Sequence, residues 1–364
     1  MHRRSSRVWT PLRLVCLLAM GGGLLVACTS PGPATSTEQD WAPGTPVTVR
    51  MLTHDSFAVS QSLLDDLRTQ TGIDLQVITS GDAGAMVSGA ILTAGAPSAD
   101  VLFGVDNTLL ARALEAEVFQ PYEITDPQVI LPALTQGTGG VVTPVDYGDV
   151  CINIDTKWYA DAQLAPPTSL ADLIDPRYRG QLVVTDPATS SPGLAFLLST
   201  IASYEQDWPT YWESLRANDV AVVGSWSDAY YGSFSLSGGD RPLVVSYATS
   251  PPAEIVYAEG TPPAQPQSAV LTDGCYRQIE YAGVLRGTQH PTAAGAVIDW
   301  LLSPQVQADI PLSMFVFPAR EGTPLPEVFT RFAAQVPEPA QLPATEVADN
   351  LKTWLTEWDT VMQR

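Results

Sequence analysis

The sequence predicts an α/β protein of two domains, each a mostly parallel sheet flanked by helices. Residues 47–118 read in the order β-α-β-α-β, the pattern of parallel strands joined by helical crossovers. A second series of the same kind runs from Val150 to about Gly274. The chain has 364 residues, 45% hydrophobic and 16% charged, which is enough apolar material for a large core and far from a disordered composition.

The elements follow in order. Val47, Val49 and Met51 alternate as a strand. Ser60 suits a helix N-cap, Leu63, Leu64 and Leu67 mark an apolar face, and Gly72 ends the helix. Ile73, Leu75 and Val77 form the next strand, followed by a small-residue helix over 84–94, a strand over 100–104 and a helix over 107–118. In the second series, apolar runs at 181–185, 220–223 and 243–245 read as strands. Pro192 opens a helix over 192–203, with Ser190 or Ser191 at its N-cap. Thr345 caps a last helix, whose Val347, Leu351, Trp354, Leu355, Trp358 and Met362 recur at helical spacing and read as core.

The first 27 residues stand apart. Arg3, Arg4, Arg7 and Arg13 precede an apolar stretch, and Leu25-Val26-Ala27-Cys28 reads as a cleavage site ending in Cys. This is an export signal, and it resembles the lipobox of bacterial lipoproteins, which makes Cys28 the lipidated residue and anchors the chain to the outer face of the cell membrane. Residues 28–46, rich in Pro, Ser, Thr and Gly, read as a tether. Losing the four arginines deepens a net charge already at −21, which disfavours nucleic acid and anionic surfaces as partners. Cys151 and Cys275 are left either as a disulfide or as two buried thiols, and an exported setting favours the bridge.

The strand-like runs of the second series lead into polar and aromatic segments at 186–193, 224–232 and 246–252. Such segments line ligand sites at strand ends of open α/β sheets. Ser190 and Ser191 offer either plain capping or, with the free N–H groups of a helix start, an anion site. Trp226 and Tyr230 share a face if their segment is helical, and stack either in the core or on a flat cationic ring. Asp55, Asp82, Asp106 and Asp146 lie at predicted strand ends, where they close turns or face a cation. Adjacent Tyr230 and Tyr231 leave open a ferric-iron site, although only His54 and His290 follow the signal. No Gly-x-Ser-x-Gly, Walker A or zinc spacing is present, so a catalytic reading, an exported hydrolase of a phosphorylated metabolite, has little to stand on.

In their order, His54-Asp55-Ser56-Phe57, Val105-Asp106-Asn107, Val145-Asp146-Tyr147-Gly148, 186–193, Trp226-Ser227-Asp228-Ala229-Tyr230, 246–251 and Leu302-Ser303-Pro304 resemble the thiamine-binding proteins of bacterial ABC importers. The resemblance runs from about Val47 to the C-terminus. It implies a class II periplasmic-binding-protein fold with domain 1 at 47–148 and 276–364, domain 2 at 149–275, and two hinge strands that a Cys151–Cys275 bridge would staple. It implies thiamine or its mono- or diphosphate as ligand and no cofactor. The chain would be a monomeric, non-enzymatic binding protein that delivers to an ABC permease and its ATPase. Ser190 would meet the phosphate, Trp226 and Tyr247 the rings, and Asp82 the ligand from domain 1. His54 and Ala253 stand where the family has Tyr, and Phe315 where it has Trp. The candidate ligand-binding residues are therefore His54, Asp55, Asp82, Asp106, Asp146, Tyr147, Ser190, Ser191, Trp226, Tyr230, Tyr247, Ser250 and Phe315, with no catalytic residue and no metal ligand.

Overall fold

The computed structural model describes residues 41–363; the expected export signal, Cys28 and the expected tether as far as residue 40 lie outside the described residues. The chain begins with β1 (Val47–Thr53), α1 (Gln61–Thr71), β2 (Ile73–Thr79), α2 (Ala83–Leu92), β3 (Val101–Asp106), α3 (Leu110–Glu115) and a short β4 (Phe119–Gln120). It continues through β5 (Thr143–Asp155), α4 (Thr156–Asp161), β6 (Leu182–Thr185), α5 (Ser191–Tyr204), α6 (Trp208–Ala217), β7 (Ala221–Val223), β8 (Leu243–Tyr247) and α7 (Pro252–Val256). Last come β9 (Ser268–Leu285), α8 (Pro291–Leu301), α9 (Pro304–Ser313), β10 (Phe317–Pro318), α10 (Glu327–Phe332) and α11 (Ala344–Gln363).

The strands form one sheet in the order β2-β1-β3-β9-β5-β8-β6-β7, with β10 added to β5 and β4 to β9. β1 runs parallel to β2 and β3, and β6 runs parallel to β7 and β8. These two parallel blocks are the α/β halves read in the sequence, and β3 and β6 are buried along their whole length, as strands covered on both faces by helices are. Between the blocks, β5 and β9 pair antiparallel with each other and with their outer neighbours. Their length explains why the sheet is continuous. At about 3.3 Å per residue, the 18 residues of β9 reach on the order of 60 Å, enough to serve both blocks.

Three capping expectations turn out differently: Thr345 does not cap α11 but lies inside its first turn, which starts at Ala344, and the two serines hold their positions without capping. Ser60 stands at the N-cap of α1 but makes no cap bond; its hydroxyl donates instead to Asp309 at 2.5 Å. Ser190 occupies the N-cap of α5, again without a side-chain cap bond. Asp146 lies inside β5 rather than at a strand end, because β5 runs unbroken from Thr143 to Asp155. Gly72 ends α1 in a left-handed conformation at φ +82°, as glycine does at helix ends.

The largest core cluster holds α5, α6 and α11 together. Leu194, Leu197 and Leu198 are fully buried, and Trp212 meets Trp358 edge-on with ring centroids 5.5 Å apart. Cys151 on β5 and Cys275 on β9 form a disulfide with an S–S distance of 1.96 Å. Among the described residues, no helix is long and apolar enough to cross a membrane.

Candidate functional site

A cavity of about 290 Å³ opens at the carboxyl ends of the parallel strands. His54, Asp55 and Phe57 follow β1, Asp82 follows β2, Ser191 follows β6, Trp226 follows β7 and Tyr247 ends β8, and all line it. Helical crossovers carry the chain back to the opposite edge of the sheet, so loops and helix N-termini collect at this one.

One wall is aromatic. The Trp226 ring stacks on Tyr230, centroids 5.0 Å apart at 20°, and stands at 62° to Tyr247, 6.4 Å away. Trp226 is oriented through its Nε1–H, which donates to the Ser246 hydroxyl at 3.0 Å; that hydroxyl pairs with Ser250 at 2.9 Å. Residues Asp228–Ser233 form a π-helical turn, a rare geometry concentrated at functional sites. It turns Tyr230 inward, 8% exposed, and leaves Tyr231 at the rim, 61% exposed. Phe315 faces this wall from the turn after α9 at φ +56°. A bulky residue in the left-handed region costs about 1–3 kcal/mol and marks a place where the surroundings dictate the backbone.

The other wall is ionisable. Asp82 accepts from the Ala83 N–H at 2.6 Å, capping α2, and reaches across the cavity to the Trp226 N–H at 2.8 Å and the Ser191 N–H at 3.4 Å. Burial raises its pKa from the ordinary carboxylate value, opposed by the Trp226 N–H and by His54. Gly84, in the first turn of α2, permits the approach, because a Cβ there would stand 2.7 Å from the Thr189 carbonyl. His54 Nδ1 accepts from the Ser56 N–H at 3.2 Å, and its Nε2 lies 3.2 Å from a Glu280 carboxylate oxygen. The ring sits in space left by Gly104, where a Cβ would come within 2.3 Å of it. Burial lowers the His54 pKa, but Glu280, Asp82 and Asp55 outweigh it and the net shift is upward.

Glu280 lines the cavity and stands in register with Asp106 and Asp146 on three neighbouring strands, β3, β9 and β5. Three carboxyls so close cannot all ionise. Burial and the Glu280 charge push Asp146 well above the usual range, toward its protonated form. Burial alone would raise Glu280 too, but His54 above all, with Asp146, holds it below its ordinary value. Asp106 is pushed up to about 7, first by burial. It is committed to local structure, accepting from the Thr108 and Leu109 N–H groups at 3.0 Å each.

Of the residues expected from sequence, His54, Asp55, Asp82, Ser191, Trp226, Tyr230, Tyr247, Ser250 and Phe315 line the cavity. Asp106 and Asp146 do not line it: they flank Glu280 on the neighbouring strands, fully buried. Tyr147 stacks on Phe317, centroids 5.2 Å apart, under the Arg277 guanidinium. The Ser190 hydroxyl is buried without a hydrogen-bond partner within ordinary geometry. Glu280 and Tyr257 also line the cavity and were missed. Glu280 reads as one more position of an apolar strand, although a carboxylate inside such a strand is itself a signal. Among the described residues, no group of three or more His, Cys, Asp or Glu could hold a metal ion.

The family described as bacterial extracellular solute-binding protein matches residues 96–347. The chain is similar to the thiamine-binding periplasmic protein of Brucella suis biovar 1 (strain 1330), 30% identical over 319 residues that cover 85% of this chain and 91% of that one. To the thiamine-binding periplasmic protein of Escherichia coli (strain K12) it is 28% identical over 345 residues, 94% and 98% of the two chains. It is also similar to the solved structure of a periplasmic thiamin binding protein, with a TM-score of 0.78 and 25% identity over 89% of this chain and 99% of that one.

Proposed function

Because the chain belongs to the bacterial extracellular solute-binding protein family, we propose that it captures thiamine or one of its phosphate esters in this cavity and delivers it to an ABC permease. The observation that carries the reading is the pairing of the two walls. Stacked aromatics face the carboxylates Asp55, Asp82 and Glu280, and the lining contains neither Lys nor Arg. That chemistry suits a flat heteroaromatic cation, held by ring stacking and cation–π attraction and offset by fixed negative charge. The curated relatives named as thiamine-binding proteins support the identity of that cation.

In this reading Trp226, Tyr230, Tyr247 and Phe315 hold the rings, and Glu280 with Asp82 balances the charge. The hydroxyl or phosphate end lies toward the start of α5, where Ser191 lines the cavity and the unpartnered Ser190 hydroxyl is buried. Domain 1 (47–148 and 276–364) and domain 2 (149–275) close on the ligand by bending at β5 and β9, and the Asp82 bond to the Trp226 N–H seals the closed form. Lipidation at Cys28 tethers a monomeric receptor to the membrane beside its permease. The protein binds and releases, and performs no reaction on the ligand.

Calorimetry with thiamine, its mono- and diphosphate and its isolated pyrimidine moiety tests the reading. Binding of at least one thiamine form is expected. No heat from any of the four at micromolar protein would reject the ligand.

A further inference from the structure

We propose that Tyr257 is a further ligand-binding residue, an outer aromatic ring that together with Phe315 offers a face to one flat ring of the ligand. The inference rests on the reading of the cavity as an aromatic-cation site.

The chain places this ring deliberately. The Tyr257 N–H donates to the Ala253 carbonyl at 2.9 Å, so Tyr257 stands one turn after Ala253 and on the same face of α7. Both residues line the cavity, but Ala253 offers only a methyl group. The first side chain on this face tall enough to form a wall is Tyr257. Beside it, Phe315 is held at φ +56° and meets Tyr257 edge-on, centroids 5.3 Å apart at 67°. An edge contact leaves an aromatic face open to a third ring.

Exposure argues for a ligand partner and against a core role. Tyr257 is 62% exposed, one of the most exposed large apolar side chains among the described residues, so folding gains little from it. The equally open Tyr231 lines the same cavity. Apolar surface gathered at the mouth of a cavity and left uncovered is characteristic of a binding edge. The two rings also come from different parts of the chain, Tyr257 from the C-cap of α7 and Phe315 from the turn after α9, so a ligand ring on the open face of the pair touches both.

The test compares wild-type protein with Tyr257→Ala, Tyr257→Leu and Tyr257→Phe by titration calorimetry with thiamine. Tyr257→Ala is expected to weaken thiamine about tenfold or more, as the loss of one good pocket contact does. Tyr257→Phe should recover most of that loss and Tyr257→Leu only part, which separates a ring face from mere bulk. Thermal melting should barely change, because the side chain is exposed. If Tyr257→Ala fails to fold, the Leu and Phe variants decide the question between them. Affinity in Tyr257→Ala or Tyr257→Leu equal to wild type overturns the inference and leaves the thiamine reading standing. Failure of the wild type itself to bind thiamine removes that reading, and this inference with it.

Discussion

The two walls of the cavity are built on different principles. On the side of β1 and β2 and along β9, His54, Asp82 and Glu280 are almost fully buried and locked by named partners. On the side of β7, β8 and α7, Trp226, Tyr230 and Tyr231 pack on one another and Tyr257 on Phe315, and Tyr231 and Tyr257 are more than half exposed. The difference shows what each kind of group requires. A charge taken out of water needs fixed partners at hydrogen-bond distance, so it belongs in or beside the sheet. A ring face needs only contact, so it can be carried on short helical turns that are free to adjust around a ligand.

The contrast breaks most sharply at Glu280. Glu280→Leu leaves the buried His54 without its counter-charge, and should cost about 3–5 kcal/mol of folding stability together with thiamine affinity. Urea unfolding beside calorimetry measures both. A stability unchanged within about 0.5 kcal/mol would mean that the ionisable wall is not locked as described.

Asp106 tests the same wall in the opposite direction. Its folded pKa of about 7 lies above the unfolded value of about 4, so the folded protein retains a proton that the unfolded chain releases. Its contribution is therefore full below about pH 4 and is lost as pH rises toward 7. Asp106→Asn keeps an oxygen for the Thr108 and Leu109 N–H groups and removes the buried charge. It should stabilise the protein at pH 8 by up to about 4 kcal/mol and hardly at all near pH 4. Unfolding curves at pH 4, 6 and 8 check the trend, and equal effects at all three would contradict it.

The aromatic wall should behave the other way round, with affinity falling and stability nearly untouched. Trp226→Leu is expected to weaken ligand binding by about 1–3 kcal/mol, while its melting temperature stays within a few degrees because Trp226 is only partly buried. A larger loss of stability than of affinity would assign Trp226 to the core.

Much of the fold was legible because periodicity reports burial. Val47, Val49 and Met51 alternate, Val347, Leu351 and Trp358 recur at helical spacing, and the structure buries Val49, Met51, Val347, Leu351 and Trp358. The polar segments after β6, β7 and β8 were legible too, since hydroxyls and aromatics at strand ends have few purely structural uses. The caps were not: Ser60 donates to Asp309, a partner 249 positions away that no local rule can supply.

Residue types and their order along the chain thus determined two α/β blocks, an aromatic segment and a set of aspartates at strand ends. Only the tertiary structure decided which of those groups meet. Strand register sets Glu280 between Asp106 and Asp146, and that alignment decides which of the three are pushed toward protonation. The reach of β5 and β9 joins both blocks in one sheet, and one turn of α7 places Tyr257 beside Phe315. Each of these follows from distances between residues remote in sequence. Periodicity records which face of an element is buried; it carries no record of what lies across from it.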